Sequence, residues 1–133
     1  MNKTELVTAL AEKTGVIIGL ETMENEFMNT VEKAMKYVTL CGSNYLKVYP
    51  DIGNLTNAAV LYKSDVLEDM ELGRGNLTSL HLKETVPGKF REIPYGTGHV
   101  DFEAAIKKAW TDKFPGNCAV TWGNNDKEYD SYF

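Results

Sequence analysis

Apolar and polar positions along the chain follow two alternating patterns. Some stretches repeat their apolar residues with the period of an α-helix, and others are short, nearly continuous apolar runs typical of a buried parallel strand. A glycine or proline follows most of them, which marks their ends. The helical pattern covers Thr4–Lys13, Phe27–Leu40, Asp65–Leu72 and Asp101–Lys113, and the strand pattern covers Val16–Leu20, Tyr45–Tyr49, Leu77–Leu82 and Asn117–Trp122. Helix and strand therefore alternate four times.

The apolar faces of these segments predict what the core contains. We expect the run Val16–Leu20 to be buried on both faces of a sheet. Pro50, Asp51 and Gly53 are expected to end the second strand, and Asn57–Tyr62 to lead into the third helix. The first two helices are amphipathic, and each is expected to place one apolar face against the core. These faces consist of Leu6, Val7 and Leu10 in the first helix, and of Phe27, Val31, Ala34, Met35 and Val38 in the second.

Alternation of this kind predicts a parallel sheet with helices on its outer face. Polar residues at three strand ends also recur at a constant interval, because 30 residues separate Glu21 from Asp51 and 30 separate Asp51 from His81. A β/α barrel of eight units and about 250 residues gives each unit about 31. The predicted fold class is therefore α/β, a partial (half) TIM barrel with four parallel strands over residues 1–122, followed by a polar tail at 123–133.

A half-barrel leaves one sheet face and two strand edges uncovered. Such surfaces rarely stay exposed on a monomer. We therefore expect a homo-oligomer, most simply a two-fold dimer in which two half-barrels cover each other.

The strand-end residues Glu21, Asp51 and His81 predict a metal site. The carboxyl ends of parallel strands point to one side, so the three side chains are expected to converge. Two carboxylates and an imidazole suit a divalent cation such as Mg²⁺, Mn²⁺ or Zn²⁺. Each residue alone also suits a helix cap or a buried polar group, and it is the regular spacing that favours a joint site.

The segment after His81 predicts a phosphate site. Late βα-loops of barrels often bind phosphate through backbone N–H groups. Glycines at 88, 96 and 98 permit close backbone approach, and Lys83, Lys89 and Arg91 supply positive charge. The alternative is that the glycines only form turns and the cations are solvated. His99 is expected at the surface or behind the site, and Trp122 in the wall of the pocket or the barrel mouth.

Composition narrows the function classes. The 133-residue chain is 43% hydrophobic and 25% charged, as expected for one soluble domain, and has no apolar run of membrane-spanning length. A net charge of −5 with scattered Lys and Arg argues against a nucleic-acid partner. Because the N-terminus lacks a signal-peptide pattern, we expect a cytoplasmic protein whose Cys41 and Cys118 are reduced core thiols.

Four motifs resemble one enzyme family over about residues 5–122. The stretches GLETM (19–23), YPDIGN (49–54), HLKET (81–85) and PGKFREIPYGTGHVDF (87–102) resemble the C-terminal half of the L-xylulose 5-phosphate 3-epimerase and hexulose-6-phosphate isomerase family, within the xylose isomerase-like TIM barrels. The resemblance implies that the strands are the fifth to eighth of a barrel. It also implies that Glu21, Asp51 and His81 are three of four metal ligands, that Glu21 is a catalytic acid/base, and that Asn54 contacts the substrate.

Departures from the family pattern leave two hypotheses open. The resemblance implies a second catalytic glutamate on the last strand, but aligning on Trp122 puts Val120 there. Thr97 also replaces a common glutamate, and four strands are missing. The chain is thus either a metal-dependent sugar-phosphate 3-epimerase or isomerase that works through an enediolate, or a truncated, inactive half-barrel that oligomerises and at most binds metal or sugar phosphate. A metal-dependent nuclease is disfavoured by the acidic balance and the few ligand candidates.

Overall fold

Helices and strands alternate in the computed structural model, which describes residues 2–116 and 118–120. Two helices, rather than one, lie between the second and third strands. The helices are α1 (Lys3–Thr14), α2 (Val31–Cys41), α3 (Ile52–Tyr62), α4 (Val66–Glu71) and α5 (Phe102–Thr111), and the strands are β1 (Ile18–Glu21), β2 (Leu46–Tyr49), β3 (Leu80–Leu82) and β4 (Cys118–Val120). The predicted α/β alternation is confirmed. Among the described residues, no helix has both the length and the apolar character needed to cross a membrane.

The strands are parallel, as predicted. β1 pairs with β2, and β3 pairs with β4. Parallel bridges join Val48 to Leu77 and Asp51 to His81, and the His81 N–H donates to the Pro50 carbonyl at 2.9 Å. These bridges link the two ladders in the order β1-β2-β3-β4, so the ends of β1, β2 and β3 are neighbours.

The core lies where helices cover β2 and β3. Alternate residues of β2, Leu46 and Val48, are fully buried. They pack in one apolar cluster with Leu80 of β3 and with residues of the helices, namely Val31, Ala34, Val38, Ile52, Leu55, Met70, Ala105 and Ala109.

The flank formed by α1 and β1 differs from the prediction. Leu6, Val7 and Leu10 are exposed, whereas Thr8 and Ala11 of α1 are buried. The expected burial of Val16–Leu20 is also wrong, because 16 and 17 are exposed and β1 is only half-buried. The reason is that α1 packs on α2 through its other side, and β1 has a strand neighbour on one edge only within the described residues.

Two element boundaries also differ. Phe27 is 68% exposed because α2 begins later, at Val31, after the N-cap Thr30. α3 begins at Ile52 and was not predicted, because Asn57–Tyr62 was expected only to lead into the third helix. Asp51 caps this helix through the Asn54 N–H. Gly53 is needed in its first turn, since a Cβ there would lie 2.5 Å from the Lys83 carbonyl oxygen.

Other boundaries agree closely. α4 lies inside the predicted Asp65–Leu72, and α5 lies inside the predicted Asp101–Lys113, with Asp101 as its N-cap. Both cysteines are free, as expected. Cys41 is half-buried and packs against the core cluster, whereas Cys118 is exposed, so the expectation of a core thiol is wrong for Cys118. β4 lies at the end of the described sheet, which leaves the Cys118 side chain uncovered. Trp122 and the tail at 123–133 lie outside the described residues.

Candidate metal centre

Three neighbouring strand ends bring Glu21, Asp51 and His81 together, as the spacing predicts. Glu21 is the last residue of β1, Asp51 follows β2 after Pro50, and His81 is the middle residue of β3. One potential ligand atom from each lies within 4.8 Å of the others. The site therefore depends on the strand order rather than on local sequence.

The imidazole of His81 lies between the two carboxylates. Its Nδ1 is 2.7 Å from Oε1 of Glu21 and 3.1 Å from Oδ2 of Asp51. The Tyr49 ring stacks on the imidazole, with centroids 5.9 Å apart and planes 19° apart. The Asp51 side chain is 1% exposed and that of Glu21 is 37% exposed. Glu21 is thus the carboxylate that faces the open side.

The two carboxylates set the electrostatics of the cluster. Hydrogen bonding to Asp51 is the largest cause that raises the pKa of His81, and Glu21 adds to it against the opposing effect of burial. Burial raises the pKa of Tyr49, and the charges of Glu21 and Asp51 raise it further. The negative charge at this end of the sheet therefore favours a bound proton or cation.

Lys83 belongs to this cluster. Its Nζ lies 2.6 Å from Oδ1 of Asn54, 3.2 Å from Oδ2 of Asp51 and 3.5 Å from Oε1 of Glu24. The same Glu24 oxygen accepts a hydrogen bond from Nε of the exposed Arg91 at 2.9 Å. The structure therefore places Asn54, Lys83 and Arg91, all predicted site residues, within a chain of contacts that starts at Asp51.

Thr22 fixes the position of Asp51 and has no counterpart in the sequence prediction. This fully buried residue accepts the Asp51 N–H at its Oγ1 at 2.8 Å, and its carbonyl accepts the Asn54 Nδ2 at 2.8 Å. A hydroxyl directly after a strand-end glutamate was the only sequence signal. Thr22 ties the end of β1 to the start of α3.

The loop that contains Gly96 and Gly98 is held by a buried carboxylate of the same segment. Oε2 of the buried Glu84 accepts the Gly96 N–H at 3.0 Å, and its Oε1 accepts the N–H groups of Thr85 and Val100 at 3.1 and 3.2 Å. Gly98 permits this arrangement, because a Cβ there would lie 2.3 Å from the Glu84 carboxylate. The N–H of Gly96, predicted to bind phosphate, is thus engaged by a carboxylate that the sequence analysis missed.

The remaining predicted residues lie outside the triad. The exposed Lys89 closes a turn through its N–H to the Val86 carbonyl at 2.9 Å. His99 is not part of the triad, and its Nε2 lies 2.9 Å from Oγ1 of Thr85. Burial lowers the pKa of His99, against an opposing effect of Glu84. Val120 pairs through its backbone with Leu82.

Comparison with known proteins agrees with the α/β fold. Residues 2–131 match the model of a family described as xylose isomerase-like TIM barrel. The probable L-ribulose-5-phosphate 3-epimerase UlaE of Mycoplasma pneumoniae is 36% identical over 101 residues, which cover 76% of this chain and 32% of the relative. The corresponding L-ribulose-5-phosphate 3-epimerase of Salmonella paratyphi A is 34% identical over 109 residues, covering 82% of this chain and 36% of the relative. The chain thus spans about a third of the curated relatives it matches.

Solved structures of similar fold include enzymes of different names. An L-ribulose 3-epimerase superposes with a TM-score of 0.71 at 16% identity, over 96% of this chain and 42% of that chain. The probable 3-DHS dehydratase AsbF of Bacillus anthracis gives a TM-score of 0.75 at 16% identity, over 96% and 51%. At this identity the likeness establishes the fold alone.

Proposed function

Because the chain belongs to the xylose isomerase-like TIM barrel family, we propose that it is a metal-dependent ketose-phosphate 3-epimerase or isomerase, or the part of one that carries the metal site. The observation that supports the proposal most directly is the convergence of Glu21, Asp51 and His81. The names of the curated relatives suggest a substrate of the L-ribulose 5-phosphate type. Because the chain spans only about a third of the length of those relatives, that it carries their activity is itself a proposal.

The three side chains fit a divalent cation. Their ligand atoms are oxygen and nitrogen, lie within 4.8 Å of one another and include one buried carboxylate. Such donors suit Mg²⁺, Mn²⁺ or Zn²⁺. When bound, the cation would polarise the ketose oxygens and stabilise the negative charge that develops next to the carbonyl.

Glu21 is the proposed catalytic base. Its carboxylate is the most exposed of the triad, so it is the one that a substrate reaches. It would take the proton from the carbon next to the carbonyl. Asp51 and Thr22 hold the imidazole of His81 and the start of α3 in place, and Lys83 offsets part of the negative charge. Asn54 is the proposed substrate contact.

The basic loop supplies the proposed phosphate contacts. Lys89 and Arg91 are its exposed cations, while Lys83 is already shared between Asp51 and Asn54. Gly96 and Gly98 are proposed to shape this loop around the phosphate. A phosphate would compete with Glu24 for the Arg91 guanidinium.

Hydrogen exchange tests the proposal more directly than turnover. One base is enough to exchange the substrate proton at C3 with solvent, even where epimerisation needs two. We expect L-ribulose 5-phosphate in D₂O with Mg²⁺ to incorporate deuterium at C3, and Glu21→Gln to abolish this. Glu103→Gln makes the same change at an exposed residue of α5, outside the site, and as the matched control should keep most of the exchange. No exchange together with no Mg²⁺ binding would overturn the proposal.

A specific observation favours a second candidate, a non-catalytic binder of metal or sugar phosphate. The described strand β4 consists of Cys118, Ala119 and Val120 and holds no carboxylate. A second base on the opposite face of the substrate would have to come from another part of the assembly. Metal binding by the triad without any deuterium exchange would favour this candidate.

The flank formed by α1 and β1 supports the expected self-association. Leu6 and Leu10 of α1 and residues 16 and 17, which precede β1, are exposed and apolar, and one edge of β1 has no strand neighbour among the described residues. We propose that a second copy covers it in a homodimer. Light scattering with and without Mn²⁺ should give the mass of two chains, and a stable monomer would contradict this assembly.

A further inference from the structure

A buried amide group on α3, the helix that Asp51 caps, has one of its two polar atoms without a hydrogen-bond partner among the described residues. The Asn57 side chain belongs to α3 and is 6% exposed. Its Oδ1 accepts the Gly88 N–H at 2.8 Å, which fixes the orientation of the amide. Its Nδ2 is buried and has no partner among the described residues. Buried donors without partners are rare and unfavourable, so this one calls for an acceptor.

Asn57 is one of the residues that line a pocket, and a small shift of this lining would bring an acceptor from the pocket to the buried Nδ2. The pocket lies between α3, the segment after β1 and the loop after β3, and has a volume of about 220 Å³. A water molecule in the liquid takes about 30 Å³, and pockets for whole drug-sized ligands measure roughly 300–1,000 Å³. The pocket therefore fits one part of a ligand rather than all of it.

The pocket is connected to the metal centre. Asn54 lines it one helical turn before Asn57 and accepts from Lys83, whose Nζ also lies 3.2 Å from Asp51 Oδ2. Glu24, on the opposite wall, contacts the same Lys83. A ligand bound at the strand ends would thus reach the pocket past the side chains of Lys83 and Asn54.

Its lining selects a hydroxyl rather than a phosphate. Glu24 and Glu26 place carboxylates at the wall, and a phosphate dianion would be repelled there. Leu61 and Phe90 add apolar surface of the kind that contacts the C–H groups of sugars. A hydroxyl can accept from the Asn57 amide and donate to a carboxylate at the same time.

We infer that this pocket is a hydroxyl subsite, in which Asn57 Nδ2 donates to a hydroxyl of a polyol chain extending from the metal centre. The inference rests on the proposed function for the identity of the ligand, but not for the unpaired donor. It adds a contact from the middle of α3 to the set at the strand ends. Asn57 would be a binding residue that favours a hydroxyl over a phosphate group in this pocket.

Side-chain amide signals in ¹H–¹⁵N NMR spectra of the full chain test this directly. Ribitol, which has hydroxyls but no carbonyl or phosphate, is titrated without divalent metal, and inorganic phosphate is titrated separately. We expect ribitol to move the Asn57 NH₂ signals saturably and phosphate to leave them in place. Signals that ignore ribitol, as for a pocket holding only water, or that move equally with phosphate, would overturn the inference.

A matched pair of variants completes the test. Asn57→Asp keeps the acceptor for Gly88 but removes the donor, and should weaken ribitol binding at least tenfold. Asn25→Asp makes the same charge change in the exposed segment after β1 and should leave the binding constant within about twofold. Equal effects of both variants would contradict a specific role. If Asn57→Asp does not fold, the shifts in the unaltered chain still decide. Loss of Mg²⁺ binding or deuterium exchange would refute only the proposed function.

Discussion

Two buried carboxylates near the carboxyl ends of neighbouring strands, Asp51 and Glu84, differ in what they bind. Asp51 is 1% exposed and Glu84 is 3% exposed. Glu84 accepts three backbone N–H groups around its own loop. Asp51 uses one oxygen as a helix cap and turns the other to His81 and Lys83. Burial alone therefore does not distinguish the two carboxylates, whereas their partners do, because only Asp51 has ionisable partners that a cation could replace.

Removing the Glu84 carboxylate should have the largest effect on stability. Glu84→Ala leaves three N–H groups without their acceptor, and we expect a loss of about 3 kcal/mol in the free energy of unfolding. Glu84→Gln keeps part of the acceptor capacity and should cost less. The corresponding change at the metal centre, Glu21→Gln, should alter stability by less than about 0.5 kcal/mol. Urea unfolding measures all three, and equal losses at both sites would break the contrast.

Gly53 connects the two regions, so enlarging it should affect both. A Cβ would lie 2.5 Å from the Lys83 carbonyl oxygen and 2.8 Å from Cγ2 of Thr85. We expect Gly53→Ala to cost about 2 kcal/mol by overpacking and to weaken Mg²⁺ binding. Val60→Ala, on the exposed side of the same helix, is the control and should leave Mg²⁺ binding unchanged. Full stability in Gly53→Ala would show that α3 and the segment after β3 are not tightly packed.

Asp69 provides a second structural carboxylate with fewer partners. Its two oxygens accept the Val31 and Glu32 N–H groups at 2.7 and 3.0 Å, at the start of α2. We expect Asp69→Ala to cost about 1–2 kcal/mol, in the range measured for lost helix caps and below the cost at Glu84. Glu68→Ala, at an exposed neighbour, should be nearly neutral in the same unfolding experiment. A larger loss than in Glu84→Ala would contradict the ranking by number of N–H partners.

Glu71 is a carboxylate paired with cations at the surface, and its effect should be the smallest. Hydrogen bonds from Arg74 and Lys108 lower its pKa from 4.5 to about 2. A lowered pKa gives stability that is present above the unfolded value and is lost as the pH falls through the folded value. The melting temperature of Glu71→Gln should therefore lie slightly below that of the unaltered chain at pH 7. The difference should disappear near pH 2, and a constant difference would contradict this pairing.

The sequence predicted the convergence of the three strand-end residues better than it predicted the structural carboxylates. Glu21, Asp51 and His81 were found because parallel strand ends meet and because their spacing and motifs are regular. Glu84 was missed because its partners include the N–H groups of Gly96 and Val100, which only the folded loop brings near. α3 was not predicted because Pro50 and Gly53 are typical of a turn, although Gly53 is required there by the approach of Lys83.

The wrong burial predictions at the flank formed by α1 and β1 have a different cause. The apolar face of α1 was expected in the core, since periodicity shows which residues share a face but not what covers it. In the structure Leu6 and Leu10 remain exposed. Either residues outside the described part or a second copy would have to bury them, and no local pattern encodes such a contact.

Localising a bound cation tests the central claim most directly. Substoichiometric Mn²⁺ broadens the NMR signals of nuclei close to it, and excess Mg²⁺ should reverse this at a shared site. We predict that the amide signals of Glu21, Asp51 and His81 broaden first, and that Glu21→Gln weakens the effect while the fold is kept. Broadening centred on another acidic surface, or unchanged in Glu21→Gln, would contradict a metal site at the strand ends.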